Sequence, residues 1–193
     1  MPVARRGGTW VQRWRVPLGF VCAAVFVLLA RPDRRSLMIG GAVAVVGLAV
    51  RAWASGHIRK NARLAVSGPY AHTRNPLYLG SFILGLGFTV AASSGPLLLA
   101  VLGGLFASLF LGIYWPVMRV ESATLAEMFG EEYKRYAAAV PLLFPRLTPY
   151  RVGDEATDVR FDPSLYMRYR EYRATMGLLI AWGLLALKAY LLR

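Results

Sequence analysis

Long apolar runs separated by short basic stretches set the pattern of this chain. Five runs stand out: Val16–Ala30, Leu37–Ala54, Leu77–Ser93, Pro96–Met118 and Met176–Leu192. A spanning helix needs roughly 20 apolar residues, in a range of about 17–25. The first run is slightly short and the others fit. Backbone groups in lipid must be paired within the segment, so each run predicts a helix. Strict alternation of apolar and polar positions is absent, which argues against a barrel. Trp10 and Trp14 precede the first run, as interface aromatics do. Arg5, Arg6, Arg13 and Arg15 give that run a signal-peptide look, but no small-x-small cleavage pattern closes it, so a retained helix is expected. In the second run the one charge, Arg51, is expected to snorkel to the interface. The turn Ser93-Ser94-Gly95-Pro96 carries no charge and predicts a tight transmembrane hairpin. On the fourth helix Gly104, Ser108 and Gly112 form a stripe that would let another helix approach closely.

Composition sharpens this reading. Of 193 residues, 56% are hydrophobic and 17% charged. Soluble domains run at about 45–50% and 25%. The expected fold is therefore all-α: a polytopic membrane protein with about five transmembrane helices, forming a single integral membrane domain over 1–193. The net charge is +13. Because the basic residues sit between apolar runs, membrane lipids are the expected partner, and no nucleic acid is expected. Cys22 is a single cysteine, and no Cys/His cluster suggests a metal site. The basic segments Ser55–Arg74 and Arg119–Arg173 are expected in the cytoplasm and the Ser94 turn outside. The loop with Arg31, Arg34 and Arg35 disagrees with that orientation.

Two polar segments carry candidate chemistry. The first is Ser67-Gly68-Pro69-Tyr70-Ala71-His72-Thr73-Arg74-Asn75-Pro76-Leu77-Tyr78-Leu79-Gly80. Asn75-Pro76 predicts a helix start, with Asn as cap and Pro at the first helical position. That N-terminus, with Arg74, would seat a carboxylate or phosphate; the plain alternative is a capped helix with interface aromatics. The second segment runs from Arg119 to Tyr136. Helical spacing puts Glu121, Leu125, Met128 and Phe129 on one face, so Glu121 is expected to head an inward apolar stripe. An acid there must be functional or paired, for example with Arg74. Glu127, Glu131 and Arg135 fall on a solvated face. His57 and His72 show no partner at motif spacing. Arg168-Tyr169-Arg170-Glu171-Tyr172-Arg173 reads as a headgroup anchor for the last helix.

These two blocks, in this order and separated by a helical hairpin, resemble the isoprenylcysteine carboxyl methyltransferase family, whose superfamily includes phospholipid methyltransferases. Gly68-Pro69-Tyr70 … Arg74-Asn75-Pro76-Leu77-Tyr78-Leu79-Gly80 is similar to its first signature. Glu121 … Phe129-Gly130-Glu131-Glu132-Tyr133 … Tyr136 … Val140-Pro141 … Pro145 is similar to its second. The resemblance covers about residues 55–148, taken as the core, with 149–193 an added polar segment and terminal helix. It implies a methyltransferase using S-adenosylmethionine in a cytoplasmic cofactor pocket. The substrate would be a lipophilic small molecule or a prenylated or lipid acceptor, with carboxyl O-methylation of an isoprenylcysteine-like group as one form. The implied cofactor residues are Tyr70, Arg74, Asn75, Pro76, Leu77, Tyr78, Glu121 and Tyr133. The implied catalytic residues are Arg119 and Glu121.

Two positions depart from that pattern. Asn75 stands where the family has histidine, and Ser122 follows Glu121 where an acidic pair is usual. Asn offers a donor and an acceptor but no charge. Two other readings stay open: a membrane reductase using NADPH, and a non-catalytic membrane scaffold or carrier.

Overall fold

The computed structural model describes residues 21, 24–58, 63–151 and 160–192. The described residues are helical or irregular, with no strand among them. After a helical stretch over residues 24–29 come α1 (Arg34–Ser55), a 3₁₀ turn (Gly68–Ala71), α2 (Pro76–Ala91), α3 (Pro96–Ala139), α4 (Pro163–Arg168) and α5 (Tyr172–Leu191). Much of the first predicted run lies outside the described residues. Three helices, α1, α3 and α5, are long and apolar enough to cross a membrane, whereas α2 is a shorter apolar helix. The chain is a membrane protein, and the described residues show three such spans where five were expected.

Local chemistry sets the helix starts. Asp33 and Ser36 form a capping box at the head of α1, with Ser36 N–H donating to Asp33 Oδ1 at 2.7 Å. Proline occupies the first turn of α2, α3 and α4, where its missing N–H costs nothing. The N-terminal part of α3 was expected to end at Met118. Instead the helix continues for 44 residues, and its one non-helical position is Gly130, at φ 52°. Only glycine adopts that conformation without strain. Its kink turns the last stretch of α3 so that Tyr133 and Tyr136 are buried.

α1 and α2 pack along a line of small residues. A Cβ built on Gly47 would lie 2.7 Å from the Gly80 carbonyl oxygen, and one on Gly80 would lie 2.8 Å from that of Gly47. Gly40 and Gly87 face each other in the same reciprocal way. The expected stripe of Gly104, Ser108 and Gly112 does not serve this purpose. All three are exposed, and among the described residues no atom lies within 4 Å of a Cβ at Gly104 or Gly112. The small residues that matter are therefore on α1 and α2.

Polar ties close both ends. At the hairpin end Arg31 N–H donates to Ala92 O (2.8 Å) and Ser36 Oγ to Ala91 O (3.1 Å). Lys188 Nζ donates to Val27 O (2.6 Å) and Leu28 O (2.8 Å), carbonyls at the close of the first helical stretch. At the other end Arg51 does not snorkel outward. It turns inward, pairs with Glu171 at 2.7 Å and donates to Ser81 Oγ and Leu77 O. Facing the carboxylate of Glu171, the residue just before α5, it makes a charge-assisted, two-oxygen contact.

Candidate functional site

Residues 67–76 and 140–150 are laid against each other beyond the end of the α1–α2 pair. Three backbone bonds of 2.9 Å join them: Arg74 N–H to Pro141 O, Arg146 N–H to His72 O, and Tyr150 N–H to Ala71 O. Side chains from the first segment add to this clasp. Thr73 Oγ1 donates to Leu143 O at 2.8 Å, and Asn75 Nδ2 to Leu142 O at 2.9 Å. His72 Nδ1 lies 2.8 Å from Arg146 O; a carbonyl only accepts, so that nitrogen carries the proton. From α3, Tyr136 OH donates to Tyr70 O at 2.7 Å. Each such bond is worth about 1 kcal/mol net, so the segments hold as a unit. The turn needs Gly68, which sits at φ 56°, with the His57 ring where a side chain would be. Pro141 and Pro145 keep the returning strand of chain from becoming helix.

Beneath the clasp the two predicted blocks meet. Arg74 Nη1 donates to Ser122 Oγ (3.2 Å) and to Tyr133 OH (3.3 Å), and these two hydroxyls are 2.6 Å apart. Arg74 Nε is buried without a hydrogen-bond partner. Nearby, Tyr78 OH donates to Glu121 Oε1 at 2.9 Å. Tyr70, Pro76 and Tyr133 are buried. Leu77 contributes its carbonyl, which accepts from Ser81 Oγ at 2.9 Å and from Arg51 Nη1. Arg119 is exposed, and no hydrogen bond joins it to the group.

Several expectations need correction. Asn75 precedes α2 but makes no side-chain cap bond, because its amide is committed to Leu142 O. Glu121 does not head the inward stripe: it is exposed, and its partner is Tyr78, not Arg74. The inward face keeps Leu125 and Phe129 from that reading but runs through Met118, Ser122 and Tyr133, while Glu121 and Met128 are exposed. Neighbouring positions on a helix point about 100° apart, which separates Glu121 from Ser122. The position taken as a missing carboxylate, Ser122, is the one that faces Arg74. Sequence reasoning also missed Thr73, Tyr136, Arg51 and Glu171. The His57 ring is buried against Trp53 and Phe161 with Nδ1 donating to Trp53 O, so it is a packed residue.

Two cavities lie away from the clasp. One, of about 640 Å³, is lined mainly by apolar side chains, among them Phe88, Phe106, Phe110 and Tyr114. The other, of about 250 Å³, lies beside Arg51 and Glu171. None of the residues expected to hold S-adenosylmethionine lines either one. Arg74 and Tyr133 bond to each other, Tyr78 bonds to Glu121, and Asn75 bonds to the returning backbone. Burial pushes the Tyr70 phenol above the usual tyrosine range, with Tyr136, Glu171 and Glu121 adding to the effect. Among the described residues no three His, Cys, Asp or Glu side chains gather into a metal-binding group.

With this geometry in view, the chain can be set beside known proteins. No family model matches it, and no solved structure does. It is 37% identical over 150 residues to the cobalt-zinc-cadmium resistance protein CzcN of Cupriavidus metallidurans, covering 72% of this chain and 64% of CzcN. It is 37% identical over 118 residues to the nickel-cobalt-cadmium resistance protein NccN of Alcaligenes xylosoxydans xylosoxydans, covering 59% of this chain and 50% of NccN. The match thus spans about two thirds or less of each relative's length. These relatives overturn the methyltransferase expectation, in family, activity and enzyme class: both are named as metal resistance proteins. The short signatures that suggested it are accounted for here by the clasp that they build. What the chain is similar to are proteins named for resistance to cobalt, zinc and cadmium, and to nickel, cobalt and cadmium.

Proposed function

We propose that this chain is a membrane protein of resistance to cobalt, zinc, cadmium or nickel ions. The observation that carries the reading is the 37% identity over 150 residues to CzcN, in a chain with three helices able to cross a membrane. The clasp with Arg74, Ser122 and Tyr133, and the Tyr78–Glu121 pair beside it, is the part proposed to act. It brings a buried guanidinium, two hydroxyls and a carboxylate–phenol pair together, and its backbone ties hold them in fixed register. The finer arrangement proposed is five spans, the clasp end in the cytoplasm and the Ser94 turn outside, supported by the basic loops.

The test is tolerance. Expressed in a metal-sensitive bacterium, the chain should raise the concentration of cobalt, zinc, cadmium or nickel salts that stops growth. Glu121→Gln, which keeps shape and loses charge, should cut that gain, while Glu127→Gln should leave it. A chain that inserts in the membrane but shifts none of the four thresholds refutes the reading. Equal tolerance for both variants would place the working group elsewhere. For orientation, a cysteine at Ser94 should react with an impermeant reagent from outside and one at Ala65 should not.

A further inference from the structure

The elbow between α4 and α5 takes no part in the clasp. Arg160, Arg168, Arg170 and Arg173 are all exposed there. The neighbouring acids are committed elsewhere. Asp162 caps α4, accepting from Ser164 N–H (2.9 Å) and Oγ (2.6 Å). Glu171 turns inward to Arg51 at 2.7 Å. Among the described residues no ion pair reaches the four arginines. The reversal is made at Arg170, whose φ of 57° is costly for a side-chain-bearing residue. Its cost is met by the ties around it, including the Arg51–Glu171 pair. Phe161, 44% exposed, and Met167, 60% exposed, stand on the same segment. α5, a candidate span, begins two residues after the strained position.

We propose that this elbow is a docking surface for anionic phospholipid headgroups. Arg168, Arg170 and Arg173 face the phosphates, and Met167, with the open edge of Phe161 whose other side packs on Gly56 and His57, enters the boundary with the acyl chains. The uncompensated charge supplies the complementarity, and the position beside the first turn of a span places it at headgroup depth. Exposed apolar side chains among the arginines distinguish a lipid from a free phosphate as occupant. Arg51 is a positioning residue: by holding Glu171 inward it keeps that carboxylate from neutralising the adjacent arginines. The inference does not rest on metal resistance.

The experiment uses the purified full chain in neutral detergent, with phosphatidylglycerol or phosphatidylcholine added. Retained lipid is read by mass spectrometry and melting by fluorescence. Phosphatidylglycerol should be retained preferentially and raise the melting temperature, and higher salt should weaken the preference. Each arginine should contribute roughly five-fold to that preference. Changing Arg168, Arg170 and Arg173 together to Gln should abolish it while melting in phosphatidylcholine stays put; changing all three to Lys should keep it. The proposal is overturned if the unaltered chain shows no preference or a salt-insensitive one. It is also overturned if the glutamine variant keeps the preference, or if inorganic phosphate reproduces the shift.

Discussion

α2 meets its two neighbours by opposite means. Against α1 it brings backbone to backbone: Gly80 and Gly87 face Gly47 and Gly40, with Ala44 and Ala91 beside them. Each glycine there points at the other's carbonyl, the arrangement of weak Cα–H···O contacts. Against α3 it brings rings: Phe82 lies 5.6 Å from Phe106 and 5.2 Å from Phe110, while Tyr114 is 4.5 Å from Phe110 and 5.3 Å from Tyr78. In lipid, apolar side chains gain little by leaving one apolar surroundings for another, so close fit decides association. The glycine line has that fit. The ring line has bulk without closure, and the 640 Å³ cavity opens beside Phe106, Phe110 and Tyr114. Small residues thus make the rigid half of the bundle, and aromatics make the half with room in it.

The glycine line is where a single methyl should cost most. A Cβ at Gly47 would lie 2.5 Å from Leu84 N, and one at Gly40 would lie 2.6 Å from Ala91 N. Both obstacles are backbone and cannot rotate away. Gly47→Ala and Gly40→Ala should each destabilise by about 2–3 kcal/mol. For a chain of this size that is a fall in melting temperature of about 5–10 °C. Unchanged melting in detergent would show that the helices separate easily and would end the contrast. The ring line should respond less. Phe110→Leu loses ring pairs with Phe82, Phe106 and Tyr114, worth about 1–1.5 kcal/mol in all after the neighbours relax. It should also enlarge the cavity, which an apolar fluorescent probe would report as stronger binding.

The contrast also explains which parts of the fold could be read from the sequence. The starts of α2 and α3 were legible because Pro76 and Pro96 mark them chemically. The length of α3 was not, since a change from apolar to charged composition at Arg119 looks like an end although the backbone continues. Small residues occur on α1, α2 and α3, and only the tertiary arrangement reveals that α1 and α2 use theirs. The two polar blocks were visible as motifs, and they do meet. Leu125 and Phe129 face inward as expected, but Glu121 was placed beside them in error, because Glu121 and Ser122 are neighbours and the helix phase separates them. The commitment of Asn75 to Leu142 O was invisible, since its partner is a carbonyl 67 residues away.

Alkaline pH separates the clasp from both lines of packing. Burial raises the Tyr70 phenol above the usual range. A group of that kind contributes stability that is complete below the unfolded pKa of about 10 and is lost as pH rises beyond it. Melting temperature should therefore fall above that point, and Tyr70→Phe should flatten the fall. The Gly47→Ala protein should keep the same alkaline slope as the unaltered chain. A Tyr70→Phe protein with an unaltered slope would show that Tyr70 is not where the alkaline loss originates.

The smallest expected effect is the most discriminating about glycine. Gly104 and Gly112 are the same residue type as Gly40 and Gly47, on a helix of similar composition, but no described residue lies where their side chains would be. Gly104→Ala and Gly112→Ala should therefore leave melting within about 0.5 kcal/mol of the unaltered chain, or raise stability slightly through better helix propensity, by up to about 1 kcal/mol. The pair of outcomes carries the point: loss at Gly40 and Gly47 with none at Gly104 and Gly112 means that close approach, and not glycine as such, holds the bundle. Equal losses at all four would mean that the exposed stripe on α3 is covered in the membrane. A molecular weight measured in detergent before and after Gly104→Leu would then tell whether a second copy of the chain is what covers it.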